Sequence, residues 1–128
     1  MQLVSIKILL PVILLWSMTS AAQDNCDITL FLIGDSTLAD KPYAGSNPEK
    51  GWGQVLPLYL KKGIRVENHA VNGRSTKSFR DEGRWDSVQQ KIKPGDFVLI
   101  QFGHNDQKVD SPDRYAAADT DYRTNLKR

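Results

Sequence analysis

An unbroken apolar run, Leu30-Phe31-Leu32-Ile33, halts at Gly34, and an acid and a hydroxyl follow at once in Asp35-Ser36. A run with no polar alternation has no face to give to water. It reads as a strand buried on both sides, the environment that a parallel sheet provides. Gly34 suits a sharp turn at the strand end. Ser36 then falls just outside the carboxyl edge of a strand, where open α/β sheets hold their ligands. There it is a candidate nucleophile; the plainer alternative is that it caps a following helix.

The remainder of the chain repeats this layout. After a first strand over 28–33, residues 40–51 are rich in Pro, Gly, Asn and Ser and read as a surface loop. Val55, Leu56, Tyr59 and Leu60 recur at helical spacing. They predict a helix over 52–62, with Pro57 in its first turn or at a kink, Gly63 as its C-cap and Lys61-Lys62 at its solvated end. A second strand covers 64–70. Asn72-Gly73 would suit a hairpin, but no partner strand follows. Residues 76–80 and 85–92 look helical instead, so Asn72-Gly73 reads as a strand-to-helix loop. A turn at Lys93-Pro94-Gly95-Asp96 leads into a third strand over 97–102, the second run that looks fully buried. A polar loop over 107–118 precedes a last helix from Asp119 or Thr120.

This alternation predicts a parallel sheet with helices on both faces. Right-handed crossovers put every carboxyl end on one edge. Gly34-Asp35-Ser36, Asn72-Gly73 and Gly103-His104-Asn105-Asp106 each follow a strand directly, so all three loops are expected to meet there. Acyl transfer needs a nucleophile and donors aimed at a developing oxyanion. Ser36 fits the first role. Gly73 offers a backbone N–H without a side chain to block approach, and Asn105 offers a neutral amide donor. Each of these residues also has an ordinary role in turns. Asp35 and Asp106 read as acceptors that hold neighbouring backbone N–H groups. His69 reads as a structural histidine. His104 is a weaker candidate for a general base, because adjacent side chains need not face the same way.

Composition sets outer limits. The chain has 128 residues, enough for one domain, with 17 basic and 15 acidic side chains spread along it. No basic cluster marks a nucleic-acid footprint. Residues 1–22 have the layout of a secretory signal peptide: Lys7, an apolar stretch over 8–16, then Ser20-Ala21-Ala22. The apolar stretch is about half the roughly 20 residues a bilayer span needs, and Pro11 interrupts it. The protein is therefore expected to be secreted or periplasmic, without a stable membrane anchor, with 23–128 forming part of a single domain. Cys26, the one cysteine, excludes an internal disulfide; its lipidation is a minor alternative. There is no Cys/His cluster of the kind that binds metal.

At these loops the sequence resembles the SGNH subgroup of the GDSL hydrolase superfamily. The likeness rests on Gly34-Asp35-Ser36-Thr37-Leu38-Ala39-Asp40, Asn72-Gly73-Arg74-Ser75 and Gly103-His104-Asn105-Asp106, in the family's order. Gly51-Trp52-Gly53-Gln54, Gly73-Arg74-Ser75-Thr76-Lys77-Ser78-Phe79, Gln101-Phe102 and Tyr122-Arg123-Thr124-Asn125-Leu126 bring it nearest to rhamnogalacturonan acetylesterases and related carbohydrate deacetylases. The resemblance implies a flavodoxin-like three-layer α/β/α fold and removal of acetyl groups from cell-wall polysaccharide. It makes Ser36 the nucleophile and assigns the oxyanion hole to the Ser36 N–H, the Gly73 N–H and the Asn105 amide. It implies no metal or organic cofactor and an acetylated polysaccharide or oligosaccharide as substrate; a monomer without a nucleic-acid partner is expected.

One departure stands out. The family's fourth block, Asp-x-x-His, supplies the base and its orienting acid, and it does not occur in these 128 residues. The chain is expected to be the N-terminal part of a longer protein, with its C-terminal strands and helices elsewhere. Alone it should be close to inactive, since losing the base of a serine hydrolase costs on the order of 10⁶ in rate. A sheet edge left open should also make it poorly soluble. A non-catalytic carbohydrate-binding module of the same fold, and a lipid or thioester hydrolase of the superfamily, are the rival readings.

Overall fold

The computed structural model describes residues 28–43 and 47–127; the expected signal peptide and Cys26 lie outside them. Three parallel strands, β1 (Ile28–Gly34), β2 (Ile64–Asn68) and β3 (Phe97–Gln101), form one sheet in the order β2-β1-β3. β1 is central. It pairs with β2 from Ile28↔Ile64 to Leu32↔Asn68, and with β3 from Leu30↔Phe97 to Gly34↔Gln101.

The central position explains the unbroken apolar run. Phe31 and Ile33 pack on Phe79 and Val88, with Trp85, Ile92, Val98 and Phe102 around them. Leu32 points to the opposite face by strand alternation and is also fully buried, as is Leu38. The step from β1 to β2 and the step from β2 to β3 run in opposite directions across the sheet. With right-handed crossovers their helices cover opposite faces, giving the expected three layers.

α1 (Trp52–Val55) is far shorter than the helix expected over 52–62 and passes into a 3₁₀ turn over Leu56–Tyr59. Pro57 has no N–H for the next helical bond, so the α-helix cannot continue through it. Leu58 and Tyr59 are consequently exposed, not on a buried face. Gly63 (φ +92) turns the chain into β2 and caps no helix; Lys62 lies in that turn and Lys61 just before it.

β2 ends at Asn68, two residues earlier than expected, because Asn68 turns its side chain back onto the backbone. Its Nδ2 donates to the Leu38 carbonyl at 3.0 Å and its Oδ1 accepts from the Ala70 N–H at 3.2 Å. α2 (Thr76–Asp81) begins at Ser75, whose hydroxyl and N–H form a reciprocal capping pair with Ser78. Gly83 (φ +67) separates it from α3 (Arg84–Gln89).

β3 corrects a further expectation. Its sequence reads as a buried run, yet Phe97, Leu99 and Ile100 are 61%, 41% and 48% exposed. Among the described residues it pairs on one side only, so a single neighbour shields it. The last helix opens as a π-helical turn over Ala118–Tyr122 and continues as α4 (Arg123–Lys127).

Candidate active site

Ser36 stands two residues beyond β1 in a single tight turn, where the Asp35 carbonyl accepts from the N–H groups of Leu38 at 3.2 Å and Ala39 at 3.0 Å. No helix follows, so Ser36 caps nothing. Its side chain is half-buried, and among the described residues neither its N–H nor its hydroxyl is hydrogen-bonded. Asp35 is fully buried beside it. Its Oδ1 accepts from the Thr37 N–H at 3.0 Å and from the Gln101 amide at 3.2 Å, while Oδ2 has no partner among the described residues. Asp35 thus holds the turn, as expected of it, and also ties the turn to β3.

Gly34 is needed for a reason other than a sharp turn. It remains in the strand, and a Cβ there would stand 2.5 Å from the Gln101 carbonyl oxygen and 2.8 Å from the Leu38 side chain. Gly51-Trp52-Gly53-Gln54 then clamps the far side of the Ser36 turn. The Trp52 N–H donates to the Thr37 carbonyl at 3.0 Å. Cβ atoms at Gly51 and Gly53 would overlap the carbonyls of Ala39 and Leu38, so both glycines permit this contact. The Gln54 amide bonds both backbone groups of Lys41, accepting from its N–H at 3.1 Å and donating to its carbonyl at 2.9 Å.

The loop after β2 lies against the first loop, with the Val71 N–H donating to the Gly34 carbonyl at 3.0 Å. Gly73 has φ +76, a left-handed conformation that favours glycine, and its N–H is unbonded among the described residues. A Cβ at Gly73 would meet nothing nearer than Nη1 of Arg114, 3.9 Å away. The Asn72 side chain accepts from Nζ of Lys41 at 2.8 Å. The Lys41 side chain is 5% exposed and has the Glu49 carboxylate 3.6 Å away.

The loop after β3 completes the group. Asn105 is buried; its Nδ2 donates to the Arg74 carbonyl at 2.9 Å, and its Oδ1 accepts from Nζ of Lys108 at 3.2 Å. One amide N–H is thereby used and the second is left. Asp106, also buried, accepts at Oδ1 from both the N–H and the hydroxyl of Thr76. Its backbone partner is 30 residues away, not in its own loop as the sequence suggested. Thr76 in turn accepts from Asn125 of α4 at 3.1 Å, and the Tyr122 hydroxyl donates to the Phe102 carbonyl at 3.2 Å. The Tyr122-Arg123-Thr124-Asn125 block therefore buttresses the loops from behind. Burial, with the Asp106 charge assisting, pushes the Tyr122 hydroxyl above its ordinary value.

Neither histidine is joined to Ser36 by a hydrogen bond. His104 is exposed. His69 pairs with Glu67 at 3.2 Å and stacks on Phe31, the structural role expected for it. Lys41, Lys108 and Arg114 were not legible as parts of this region, nor was the bond from Thr76 to Asp106. The sequence shows them as charges and hydroxyls in loops or at a helix start, and only long-range packing brings them in.

A family model described as the GDSL-like lipase/acylhydrolase family matches residues 32–128. Over 81 residues the chain is 51% identical to the rhamnogalacturonan acetylesterase RhgT of Bacillus subtilis (strain 168), covering 63% of this chain and 34% of that protein. Over 98 residues it is 41% identical to the probable rhamnogalacturonan acetylesterase YesY of the same organism, covering 77% of this chain and 44% of that one. The crystal structure of the protein YxiM of Bacillus subtilis superposes with a TM-score of 0.68 at 30% identity, over 77% of this chain and 27% of that one. The chain thus spans from about a third to under half of the length of these two curated relatives.

Proposed function

Because the chain belongs to the GDSL-like lipase/acylhydrolase family, we propose that it carries the nucleophile and oxyanion hole of a secreted serine esterase that removes acetyl groups from acidic cell-wall polysaccharide of the rhamnogalacturonan type. The observation that carries this reading is the condition of the donors. The N–H groups of Ser36 and Gly73 are unbonded among the described residues, and Asn105 keeps one amide N–H in reserve while its other groups are fixed. All three lie on loops at the carboxyl edge of one sheet.

In this reading Oγ of Ser36 attacks the acetyl carbonyl carbon and gives its proton to a general base. The carbonyl π electrons move to oxygen, and the three N–H groups receive the oxyanion. Collapse expels the sugar hydroxyl, which takes back a proton, and water then releases acetate from the serine by the same steps. Donors held rigidly by neighbouring bonds need no reorganisation when the charge develops, which is where such holes derive their effect. The resemblance gives the base to an Asp-x-x-His pair that these 128 residues do not contain, so the 128 residues alone are expected to turn over little.

The test is acetate release from acetylated rhamnogalacturonan by the protein expressed from its complete reading frame. Release that is abolished by Ser36→Ala supports the reading. Tight polysaccharide binding without release would favour a carbohydrate-binding module. Preference for long-chain lipid esters would favour the lipase side of the family.

A further inference from the structure

A cleft of about 210 Å³ opens beside Gly73, lined by Gly73, Arg74, Ser78, Glu82, Asp113 and Arg114. Its two arginines are in different states. The charge of Arg74 is answered by a carboxylate: Nε lies 3.0 and 3.2 Å from the Glu82 oxygens, and Nη1 donates to the Asn72 carbonyl at 3.0 Å. Glu82 is engaged from the other side by Arg84 as well. These charges answer one another.

Arg114 has no carboxylate hydrogen-bonded to it among the described residues. Nη2 donates to the Ser111 hydroxyl at 3.3 Å. Among the described residues Nε is buried without a hydrogen bond, the acid paired with it being Asp113 at 3.5 Å, and the Asp113 side chain is itself 73% exposed. Nη1 has no hydrogen bond among the described residues and faces Gly73. A guanidinium cannot shed its charge and carries five donors in a planar fork. Ser111 and Asp113 steady one edge of this fork, which leaves the Nη1 side open to the cleft.

We infer that Arg114 and this cleft form a subsite for a carboxylate on the substrate, as on a uronic acid residue next to the acetylated sugar. The inference rests on the esterase reading for its place in catalysis. The open side of the cation adjoins the glycine whose N–H lies in the proposed oxyanion hole. A sugar whose acetyl carbonyl rests on that N–H brings a substituent of the same or the next ring within reach of Arg114. A planar carboxylate matches the fork better than a neutral hydroxyl. Arg114 is thus a specificity residue that selects acidic chains, whereas Ser36, Gly73 and Asn105 serve any acetyl ester.

The test compares wild type, Arg114→Gln and Arg114→Lys, each expressed from the complete reading frame and checked for an unchanged unfolding midpoint. The substrates are an acetylated galacturonate-containing oligosaccharide and p-nitrophenyl acetate. Arg114→Gln should raise KM for the acidic substrate about tenfold or more, the range of a charged hydrogen bond. It should leave kcat and the neutral ester within about twofold, and Arg114→Lys should recover part of the loss. Equal loss on both substrates would make Arg114 an oxyanion or scaffold residue and overturn the inference; so would no change on either. Should wild type hydrolyse neither ester, the esterase reading fails by itself. Calorimetric binding of the deacetylated galacturonate oligosaccharide to wild type and Arg114→Gln then decides the subsite, and equal affinity would refute it.

Discussion

The side-chain amide of Asn105 donates to the main-chain carbonyl of Arg74 across 2.9 Å, joining the loop after β3 to the loop after β2. Lys108 holds the other end of the same amide at 3.2 Å. Oxygen and nitrogen are thereby assigned by their partners, and the remaining N–H has one direction left to point.

The oxyanion role proposed for Asn105 predicts that Asn105→Ala, in the protein expressed from its complete reading frame, lowers kcat by about 10²–10³ with KM little changed. Lys108→Met should cost less, about tenfold in kcat, because it loosens the amide without removing it. Lys108→Arg should restore most of the rate. Steady-state kinetics on a small acetate ester would separate these; a Lys108→Met effect confined to KM would show that the lysine meets substrate directly.

Gly34 and Gly73 are required for different reasons, and alanine should reveal it. Gly34→Ala puts a methyl 2.5 Å from the Gln101 carbonyl oxygen, so β3 must shift to admit it. It should destabilise by about 1–3 kcal/mol, as overpacking does. Gly73→Ala meets open space but keeps φ at +76. Its cost is left-handed strain of about 1–2 kcal/mol. Urea unfolding of both variants measures the two values, and a crystal structure should show movement of β3 only for Gly34→Ala.

Asp106→Ala leaves the N–H and hydroxyl of Thr76 without their buried acceptor. Losing hydrogen bonds to a charged group costs about 1.5–3 kcal/mol each in such settings. The variant should therefore be strongly destabilised, and the protection of the Thr76 amide from hydrogen exchange should fall with it. Undiminished stability would mean that α2 does not depend on this contact.

Acid sensitivity has a defined sign. The Arg84 guanidinium, and after it that of Arg74, holds the Glu82 carboxyl below its ordinary value near 4.5, against an opposing effect of burial. The Lys93 and Thr29 backbone N–H groups do the same for Asp96 from 3.8. A depressed folded-state value adds stability that is complete above the ordinary value and is lost as pH falls through the depressed one. Stability should hold from neutrality to about pH 4.5 and decline below it. The Glu82→Gln, Asp96→Asn double variant should be less stable at pH 7 and show a shallower acid decline in urea midpoints; a parallel curve would remove both groups from the account. Added salt should shrink the Glu82 part.

The exposed flank of β3 should govern solubility. Phe97, Leu99 and Ile100 sit on a strand with one neighbour among the described residues, an arrangement open to pairing with a second sheet. The 128-residue chain should self-associate in light scattering, and Ile100→Lys should reduce this without lowering the unfolding midpoint. Unaltered association would place the contact elsewhere.

The sequence by itself determined a buried strand at Leu30–Ile33, the order of strands and helices along the chain, and the meeting of three loops at one edge, while only the structure put that strand between the other two. These follow from local signals: an apolar run with no polar face, turn residues at fixed places, and the handedness that parallel crossovers share. Where one residue broke a periodic pattern, the local reading overreached; Pro57 ended a helix that Val55, Leu56, Tyr59 and Leu60 seemed to continue. The tertiary structure alone decided which side chains surround the site. Lys41 bonds Asn72 from 31 residues away and Asp106 bonds Thr76 across 30, and Arg114 stands over Gly73. A charged residue in a loop looks the same in sequence whether solvent or a buried acceptor receives it. Only the packing of one loop on another removes the water and makes the partner necessary.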